Sequence, residues 1–323
     1  MRISLFFLRA AVACCLAAAA QGREEMRTTV NPLPEEEILS PCEYRMILPE
    51  AAPLRAAWVI FDRGPDHRQW YEDRRVRAFA EGQRLALVLA MHCRSKERED
   101  IHADPDKGLG RALFTALDQL AESGRRPELA RVGVIVMGWS GAGSLAARLA
   151  GFRPQRYVAG IAYAPGQYDP LGMDTISLSP KAASHPQLII ANGADKVCGT
   201  DRPYRYFRRH FEQGAPWTFA VQNGAPHCCL QNAQTLILEW LRGVLSQNAV
   251  PTAAEARGFM RVANSKVVDE WKQPVFQATA VRVADGGRAR RGEIPAGWMP
   301  SRLFAQEWLL FTSRPMPVAI WAP

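Results

Sequence analysis

A run of small apolar residues leads directly into a glycine-rich turn near the middle of this chain. Segment 132–137 has the composition of a buried strand, and 144–149 is compatible with a helix. Between them lies Gly138-Trp139-Ser140-Gly141-Ala142-Gly143. Small residues flank the serine because a sharp turn leaves little room for side chains. The pattern predicts a strand, a tight turn and a helix, with the Ser140 hydroxyl projecting above a sheet.

Strand-like and helix-like segments alternate along most of the chain. Segments rich in β-forming residues are 44–48, 56–61, 85–91, 132–137, 157–164, 188–191 and 217–221. Helical patterns occupy 74–81, 109–123, 144–149, 203–212 and 232–245. In 109–123, for example, Leu113, Leu117 and Leu120 recur at spacings of four and three. This alternation predicts an α/β fold with a mostly parallel central sheet and helices on both of its faces.

The chain has 323 residues, of which 48% are hydrophobic, so it can bury a large core. Its character changes near residue 246, where polar and proline-containing stretches and the basic turn 286–291 begin. Three tryptophans follow the basic turn, and aromatic residues at such density usually pack against something: Trp298, Trp308 and Trp321. We predict a leader (1–20), an α/β domain (21–245) and a C-terminal extension that packs on that domain (246–323).

The first 20 residues have the pattern of a secretory leader. Arg2 precedes an apolar stretch, and the alanines at 18–20 offer a cleavage site of small residues. Arg9 interrupts the apolar stretch, whereas a membrane-spanning helix needs about 20 apolar residues. Lipid attachment at Cys14 or Cys15 is a poorer alternative, because the usual preceding leucine is missing. We expect a secreted or periplasmic protein that is not inserted in a membrane once the leader is removed.

The formal net charge is +8, of which Arg2 and Arg9 supply two. Other basic residues form scattered clusters at 74–75, 208–209 and 288–291, without a nucleic-acid motif or interleaved aromatic residues. These clusters therefore indicate a solvated surface, and we expect no nucleic-acid partner. The first strand is not followed by a glycine pattern typical of nucleotide binding, so we also expect no cofactor.

A reactive serine needs two helpers, because its hydroxyl is a weak nucleophile at neutral pH. An imidazole must accept the proton of Ser140, and a carboxylate must orient that imidazole. Asp195 follows the apolar segment 188–191 after a glycine-containing turn, at the strand end where α/β folds place their ligands. His227 follows the next strand and precedes the last helix. We therefore predict Ser140, Asp195 and His227 as the catalytic residues.

Each of these residues has a rival in the sequence. Ser144 falls inside the helix that follows the turn, which makes it a poor nucleophile. Asp201 shares a loop with Asp195, but its position before Arg202-Pro203 is typical of a helix N-cap. We expect His185 and His210 on the surface.

The order Ser140, Asp195, His227 along the chain resembles that of the α/β-hydrolases. Within that group the chain is similar to secreted esterases of the polyhydroxybutyrate-depolymerase and feruloyl-esterase type, over residues 44–245. The resemblance implies hydrolysis of small-molecule or polymer carboxylic esters through an acyl-enzyme on Ser140, without a metal. The remaining histidines precede the serine, an order that the family does not use: His67, His92 and His102.

Two positions depart from the family pattern. Ala142 replaces the last glycine of Gly-x-Ser-x-Gly, a small replacement that the turn should tolerate. Asp62-Arg63-Gly64 stands where the family commonly has His-Gly. The resemblance assigns one oxyanion donor to the Gly141 backbone N–H and a second to Gly64 or Arg63. Such donors are often worth a few kcal/mol of transition-state stabilisation.

Five cysteines lie beyond the leader: Cys42, Cys93, Cys198, Cys228 and Cys229. Disulfides persist in an oxidising compartment, and an odd number leaves at least one thiol outside intrachain pairs. Cys198 follows Asp195 by three residues, and Cys228 and Cys229 follow His227, so a bond between them would tie the two loops together. We expect that bond first and a Cys42–Cys93 bond second. A metal site of the same Asp, His and Cys is the alternative, but the spacing does not repeat a usual zinc pattern.

Two other functions are compatible with the sequence. A serine peptidase of the same fold would use the same three residues. An exported binding protein could keep the fold without catalysis, but the presence of all three residues argues against it, since losing one would suffice.

Overall fold

The apolar runs of the sequence form the parallel centre of one sheet. The computed structural model describes residues 25–62, 65–96, 103–167, 170–246, 256–265 and 274–314. Its first eight strands are β1 (Met26–Val30), β2 (Cys42–Ile47), β3 (Ala56–Phe61), β4 (Leu85–Met91), β5 (Gly133–Trp139), β6 (Tyr157–Tyr163), β7 (Gln187–Asn192) and β8 (Trp217–Gln222). Every residue of β3, β4, β7 and β8 is buried, as in a sheet that is covered on both faces.

These strands follow the order β1-β2-β4-β3-β5-β6-β7-β8 across the sheet. Strands β3 to β8 are parallel, and β2 pairs antiparallel with both β1 and β4. The carboxyl ends of β5, β7 and β8 therefore lie at the same edge of the sheet. Ligand sites of open α/β sheets form at that edge.

Helices cover both faces of the sheet. They are α1 (Pro65–Glu72), α2 (Arg74–Gly82), α3 (Leu109–Ser123), α4 (Gly141–Phe152), α5 (Pro180–Ala183), α6 (Asp201–Phe211) and α7 (Gln234–Ser246). Residues of α2 and α7, such as Val76 and Trp240, contribute to one hydrophobic core. Residues of α3 and α4, such as Leu113 and Leu145, contribute to the other. The predicted α/β fold, mostly parallel with helices on both faces, is confirmed.

The sequence beyond residue 246 continues the same sheet. It contains β9 (Ala256–Ser265), β10 (Val275–Asp285), β11 (Ile294–Trp298) and α8 (Arg302–Ser313). The sheet order continues from β8 as β11-β9-β10, all antiparallel. Trp308 of α8 is fully buried, and its Nε1–H donates to the carbonyl of Phe219 in β8 at 2.9 Å. The extension is therefore attached to the sheet through strand pairing and through a buried tryptophan.

In the N-terminal part, one strand and one helix had no clear sequence signal. Strand β1 alternates between half-buried and exposed residues until the buried Val30 at its end, so it lacks an apolar run. Helix α1 is rich in polar residues and follows directly after 63–64, which lie outside the described residues. The leader 1–20 and Trp321 also lie outside them. Among the helices that the structure describes, none combines the length and apolarity needed to cross a membrane.

A disulfide joins the N-terminal part of the sheet. Cys42 at the start of β2 bonds to Cys93, which follows the end of β4. Both side chains are buried, and the two strands are antiparallel neighbours. The second of the two expected cysteine pairs is thus present.

His210, which we expected on the surface, is buried. Only 1% of it is exposed, and its ring centroid lies 4.5 Å from that of Trp217. Its Nδ1 lies 3.0 Å from the Tyr206 carbonyl, and its Nε2 accepts the Leu178 N–H at 3.4 Å. The polar appearance of the helix was misleading because these two backbone groups satisfy the ring inside the core. The arrangement suits a neutral ring with the proton on Nδ1.

Burial gives His210 a role in pH-dependent stability. Loss of hydration lowers the pKa of His210 in the folded protein, and burial lowers that of His185 as well. Below about pH 6.5 the unfolded chain therefore binds protons that the folded chain resists, so stability is full above that pH and falls as pH decreases. We expect the free energy of unfolding, measured with urea, to decrease from about pH 7.5 to about pH 5.5.

The matched variants are His210→Phe and His92→Gln, the second at an exposed histidine. His210→Phe should weaken the pH dependence, because phenylalanine cannot take up a proton, although it loses two hydrogen bonds at every pH. His92→Gln should keep the wild-type dependence. An unchanged slope in His210→Phe would show that other groups cause it.

Candidate active site

Ser140 occupies a strained turn between β5 and α4. Its φ of 55° and ψ of −125° lie in a region that non-glycine residues rarely adopt. A Cβ at Gly138 would collide with the carbonyl oxygen of Ala142, and one at Gly143 would lie 3.0 Å from Pro165 Cβ. The two glycines therefore let the strand and helix approach closely. Ala142 is fully buried, so the departure from the family pattern fits the turn.

His227 lies beside Ser140, on the loop that follows β8. Its Nε2 is 3.0 Å from Ser140 Oγ, and its Nδ1 is 2.7 Å from Asp195 Oδ2. The two partners assign the tautomer: Nδ1–H donates to the carboxylate, which leaves Nε2 to accept the serine proton. The side chain of His227 is 17% exposed, whereas that of Asp195 is fully buried. The imidazole is therefore reached from solvent, whereas the carboxylate is not.

Asp195 is held by the loop on which it lies. Its Oδ1 accepts the backbone N–H groups of Val197 and Cys198 at 2.8 and 2.9 Å. Because these donors take one oxygen, the other oxygen is directed at His227. The carboxylate is thus fixed in the orientation that an imidazole partner requires.

The loops that carry the acid and the imidazole are also joined directly. We call 193–200 the acid loop and 223–229 the base loop. The N–H of Ala194 donates to the Ala225 carbonyl at 2.9 Å. Asn192 Nδ2 donates to the carbonyls of Pro226 at 2.7 Å and Cys228 at 3.0 Å. These bonds set the distance between the two loops.

Two of the residues that support the base loop were not anticipated from the sequence. Asn192 ends β7, and Tyr163 ends β6, where its hydroxyl lies 2.6 Å from the Cys228 carbonyl. Burial raises the pKa of Tyr163 far above its usual value, so the hydroxyl keeps its proton and can donate. The available signal was a polar group at the carboxyl end of an otherwise apolar strand.

Trp139 packs against the imidazole. Its ring centroid lies 4.7 Å from that of His227 and 6.2 Å from that of His67. Packing on one face of the ring restricts how far His227 can tilt. This contact gives the residue before the serine a role in holding the imidazole.

The rivals of the predicted residues lie elsewhere. Ser144 is fully buried within α4. Asp201 lies in the first turn of α6, where Thr200 rather than Asp201 holds the N-cap position, and it pairs with Arg205 at 2.9 Å. His92 is exposed, His185 is partly exposed, and His102 lies outside the described residues.

The oxyanion residues are only partly described. Gly141 is the first residue of α4, directly after Ser140, and N–H groups in a first helical turn lack partners within the helix. The other two candidates, Arg63 and Gly64, lie outside the described residues. All three assignments stay predictions.

The expected bond between Cys198 and the base loop is wrong. Cys228 bonds to its neighbour Cys229, whose φ of 78° turns the chain sharply between them. The Cys198 thiol takes part in neither disulfide and lies 4.0 Å from Ser140 Oγ. The backbone N–H of Cys198 binds Asp195, and its side chain lies toward the serine and Gly166. A Cβ added at Gly166 would collide with the Cys198 sulfur.

The same residues raise the question of a metal. One ligand atom each from Asp195, Cys198 and His227 lies within 4.8 Å of the others, the one such set among the described residues. However, both oxygens of Asp195 and both nitrogens of His227 already have hydrogen-bond partners in the protein. The hydrogen bonds therefore account for this arrangement without a metal ion.

No protein-family model matches the sequence, and no curated protein does. Solved structures match at low identity. The α/β hydrolase MGS-M1 from a Medee basin deep-sea metagenome library has a TM-score of 0.52 and 16% identity, over 70% of this chain and 100% of its own. The acylaminoacyl peptidase of Pyrococcus horikoshii has a TM-score of 0.52 and 13% identity, over 74% of this chain but 44% of its own. Both likenesses concern the fold alone.

Proposed function

Because this chain has the α/β-hydrolase fold, we propose that it is a serine hydrolase that cleaves carboxylic esters through an acyl-enzyme on Ser140. The observation that carries the proposal is the chain of contacts from Ser140 Oγ to His227, at 3.0 Å, and from His227 to Asp195, at 2.7 Å. Residues 87 and 32 positions apart in the sequence meet at one sheet edge in the arrangement that activates a serine.

In the first half of the reaction, Ser140 Oγ attacks the ester carbonyl carbon while His227 Nε2 takes the hydroxyl proton. The carbonyl oxygen becomes an oxyanion, to which the Gly141 N–H and a second donor from Arg63 or Gly64 would donate. Collapse of this intermediate breaks the bond to the alcohol oxygen. His227 then gives its proton to the departing alcohol, and the acyl group stays on Ser140.

In the second half, water repeats the sequence on the acyl-enzyme. His227 removes a proton from the water as it attacks, and the serine oxygen leaves with that proton. Asp195 stays ionised throughout and stabilises the imidazolium that forms twice in each cycle. Its burial strengthens this interaction, because water does not screen it.

The ester class follows from the sequence resemblance to secreted esterases, and the chemistry agrees with it. An alkoxide leaves a tetrahedral intermediate more readily than an amide anion, whose nitrogen must be protonated before it departs, so esters make a smaller demand on His227 as an acid. Two disulfides, Cys42–Cys93 and Cys228–Cys229, support export to an oxidising compartment.

A panel of substrates tests the proposal. It should contain aryl, acetyl-sugar, feruloyl and hydroxyalkanoate esters beside peptide amides of matched acyl groups, together with labelling by a fluorophosphonate. We expect labelling of the folded protein and turnover of at least one ester class at a higher kcat/KM than the matched amide. Preferred amide turnover would make the protein a peptidase. Folded protein that neither labels nor turns over any substrate would exclude a serine hydrolase.

A further inference from the structure

Strand β10 of the extension begins beside the two loops that carry Asp195 and His227. In the sheet order β10 is the last strand, and β9 is its neighbour. The other edge of a terminal strand presents a row of backbone N–H and C=O groups that need partners. Groups on one edge come from alternate residues, here Pro274, Phe276 and Ala278. These three residues bond to the acid loop and the base loop.

The base loop is held through the side chain of Asn223. Its Nδ2 donates to the Ala278 carbonyl at 2.8 Å, and its Oδ1 accepts the Ala278 N–H at 2.9 Å. Nδ2 also donates to the Thr312 carbonyl of α8 at 3.0 Å. The side-chain amide of Asn223 thus makes the two hydrogen bonds with Ala278 that the backbone of a neighbouring strand would make. Asn223 is only 7% exposed, so water does not compete for these bonds.

The acid loop is held through Thr200, which is fully buried. Its Oγ1 accepts the Phe276 N–H, and its own N–H donates to the Pro274 carbonyl at 3.0 Å. One further hydrogen bond holds the base loop: the Gly224 N–H donates to Gln277 Oε1 at 3.1 Å. Pro274, just before β10, and three of the first four residues of β10 therefore bind the two loops.

We propose that β10 positions the active site, with Thr200 and Asn223 as positioning residues that act on Asp195 and His227 through their loops. Thr200 lies five residues after Asp195, and Asn223 lies four residues before His227. Both residues bond to the same strand, so that strand adds a further constraint on the separation of the loops, beside the direct bonds between them. The inference rests on the proposed ester hydrolysis and assigns the C-terminal extension a part in it.

Thr200→Val and Asn223→Ala test the inference in the full-length protein. Thr200→Val keeps the shape of the side chain but removes its oxygen. Misplacement of catalytic groups by about 1 Å can cost about 100-fold in rate. We expect each variant to lower kcat for an ester by about 10- to 100-fold with little change in KM. Thr200→Ser retains the oxygen and should recover most of the lost kcat.

The control is Trp308→Phe, which removes a buried hydrogen bond between the extension and the Phe219 carbonyl of β8 but touches none of the bonds from β10 to the two loops. It should lower the melting temperature and leave kcat close to wild type. Active sites are counted by end-point fluorophosphonate labelling, so that unfolded protein does not enter kcat. Gln277→Ala, a milder change at a partly exposed residue, should lower kcat a few-fold and serves if the first variants do not fold.

The outcomes separate the inference from the proposed function. If wild type hydrolyses esters but the Thr200, Asn223 and Gln277 variants lose only melting temperature, as Trp308→Phe does, β10 is a structural support and the inference is overturned. A wild type that neither labels nor hydrolyses esters overturns the proposed function, and the inference with it.

Discussion

Ser140→Ala is expected to lower kcat for ester hydrolysis by about 10⁴- to 10⁶-fold, the range that removal of a serine nucleophile causes in enzymes of this kind. Alanine keeps the backbone of the turn but has no oxygen to form the acyl-enzyme. KM should change little, because the substrate is bound by groups other than the nucleophile. Steady-state kinetics on the best ester of the panel, with fluorophosphonate labelling in parallel, measures both quantities.

Ser144→Ala is the matched control. Ser144 is the other serine of the motif region, and its hydroxyl is buried in α4 without a hydrogen-bond partner. Loss of the Ser144 hydroxyl should leave kcat within about threefold of wild type, since removal of one buried oxygen creates little empty space. Retention of more than a tenth of the activity in Ser140→Ala would assign the nucleophile to another residue.

Asp195→Asn is expected to lower kcat by about 10⁴-fold, by reversing the tautomer of His227. The backbone N–H groups of Val197 and Cys198 would keep the amide oxygen in the place of Oδ1. The amide nitrogen would then face His227 Nδ1, which lies 2.7 Å from Oδ2 in the wild type. A donor in that place makes Nδ1 the acceptor and puts the ring proton on Nε2. Nε2 could no longer take the proton of Ser140.

Asp201→Asn provides the comparison for this variant. Asp201 lies on α6 and pairs with Arg205, so its replacement removes an exposed ion pair worth about 0.3–0.5 kcal/mol. We expect kcat within about twofold of wild type. The rate of fluorophosphonate labelling should fall in Asp195→Asn and not in Asp201→Asn. Activity of Asp195→Asn above about one hundredth of wild type would mean that another group orients His227.

The sequence alone predicted those features that depend on neighbours along the chain. The apolar run before Ser140 became β5, and the glycines around it permit the turn, because strand burial and steric crowding are local properties. Asp195 and His227 were predicted to follow strand ends, and parallel strands bring such ends to one edge of the sheet. Their order along the chain was therefore enough to indicate a site.

The contacts between loops could not be predicted in this way. Cys198 was expected to bond to the base loop, but its backbone N–H binds Asp195 and its thiol lies 4.0 Å from Ser140 Oγ. His210 was expected on the surface, but two backbone groups satisfy its ring inside the core. In both cases the residue has partners that are backbone groups or lie far away in the sequence, and composition does not report such partners.

The division between sequence and tertiary structure follows from the range of the interactions. Amino-acid periodicity and turn chemistry act over a few residues, and they indicated the α/β fold and the strand-turn-helix at Ser140. The order of the three candidate residues along the chain is read directly from the sequence. Only the packed structure decided which cysteines pair and that Asn223 and Thr200 bond to β10, 55 and 76 residues further along the chain. These contacts depend on which strand edges and loops meet after folding, a three-dimensional property that no local pattern encodes.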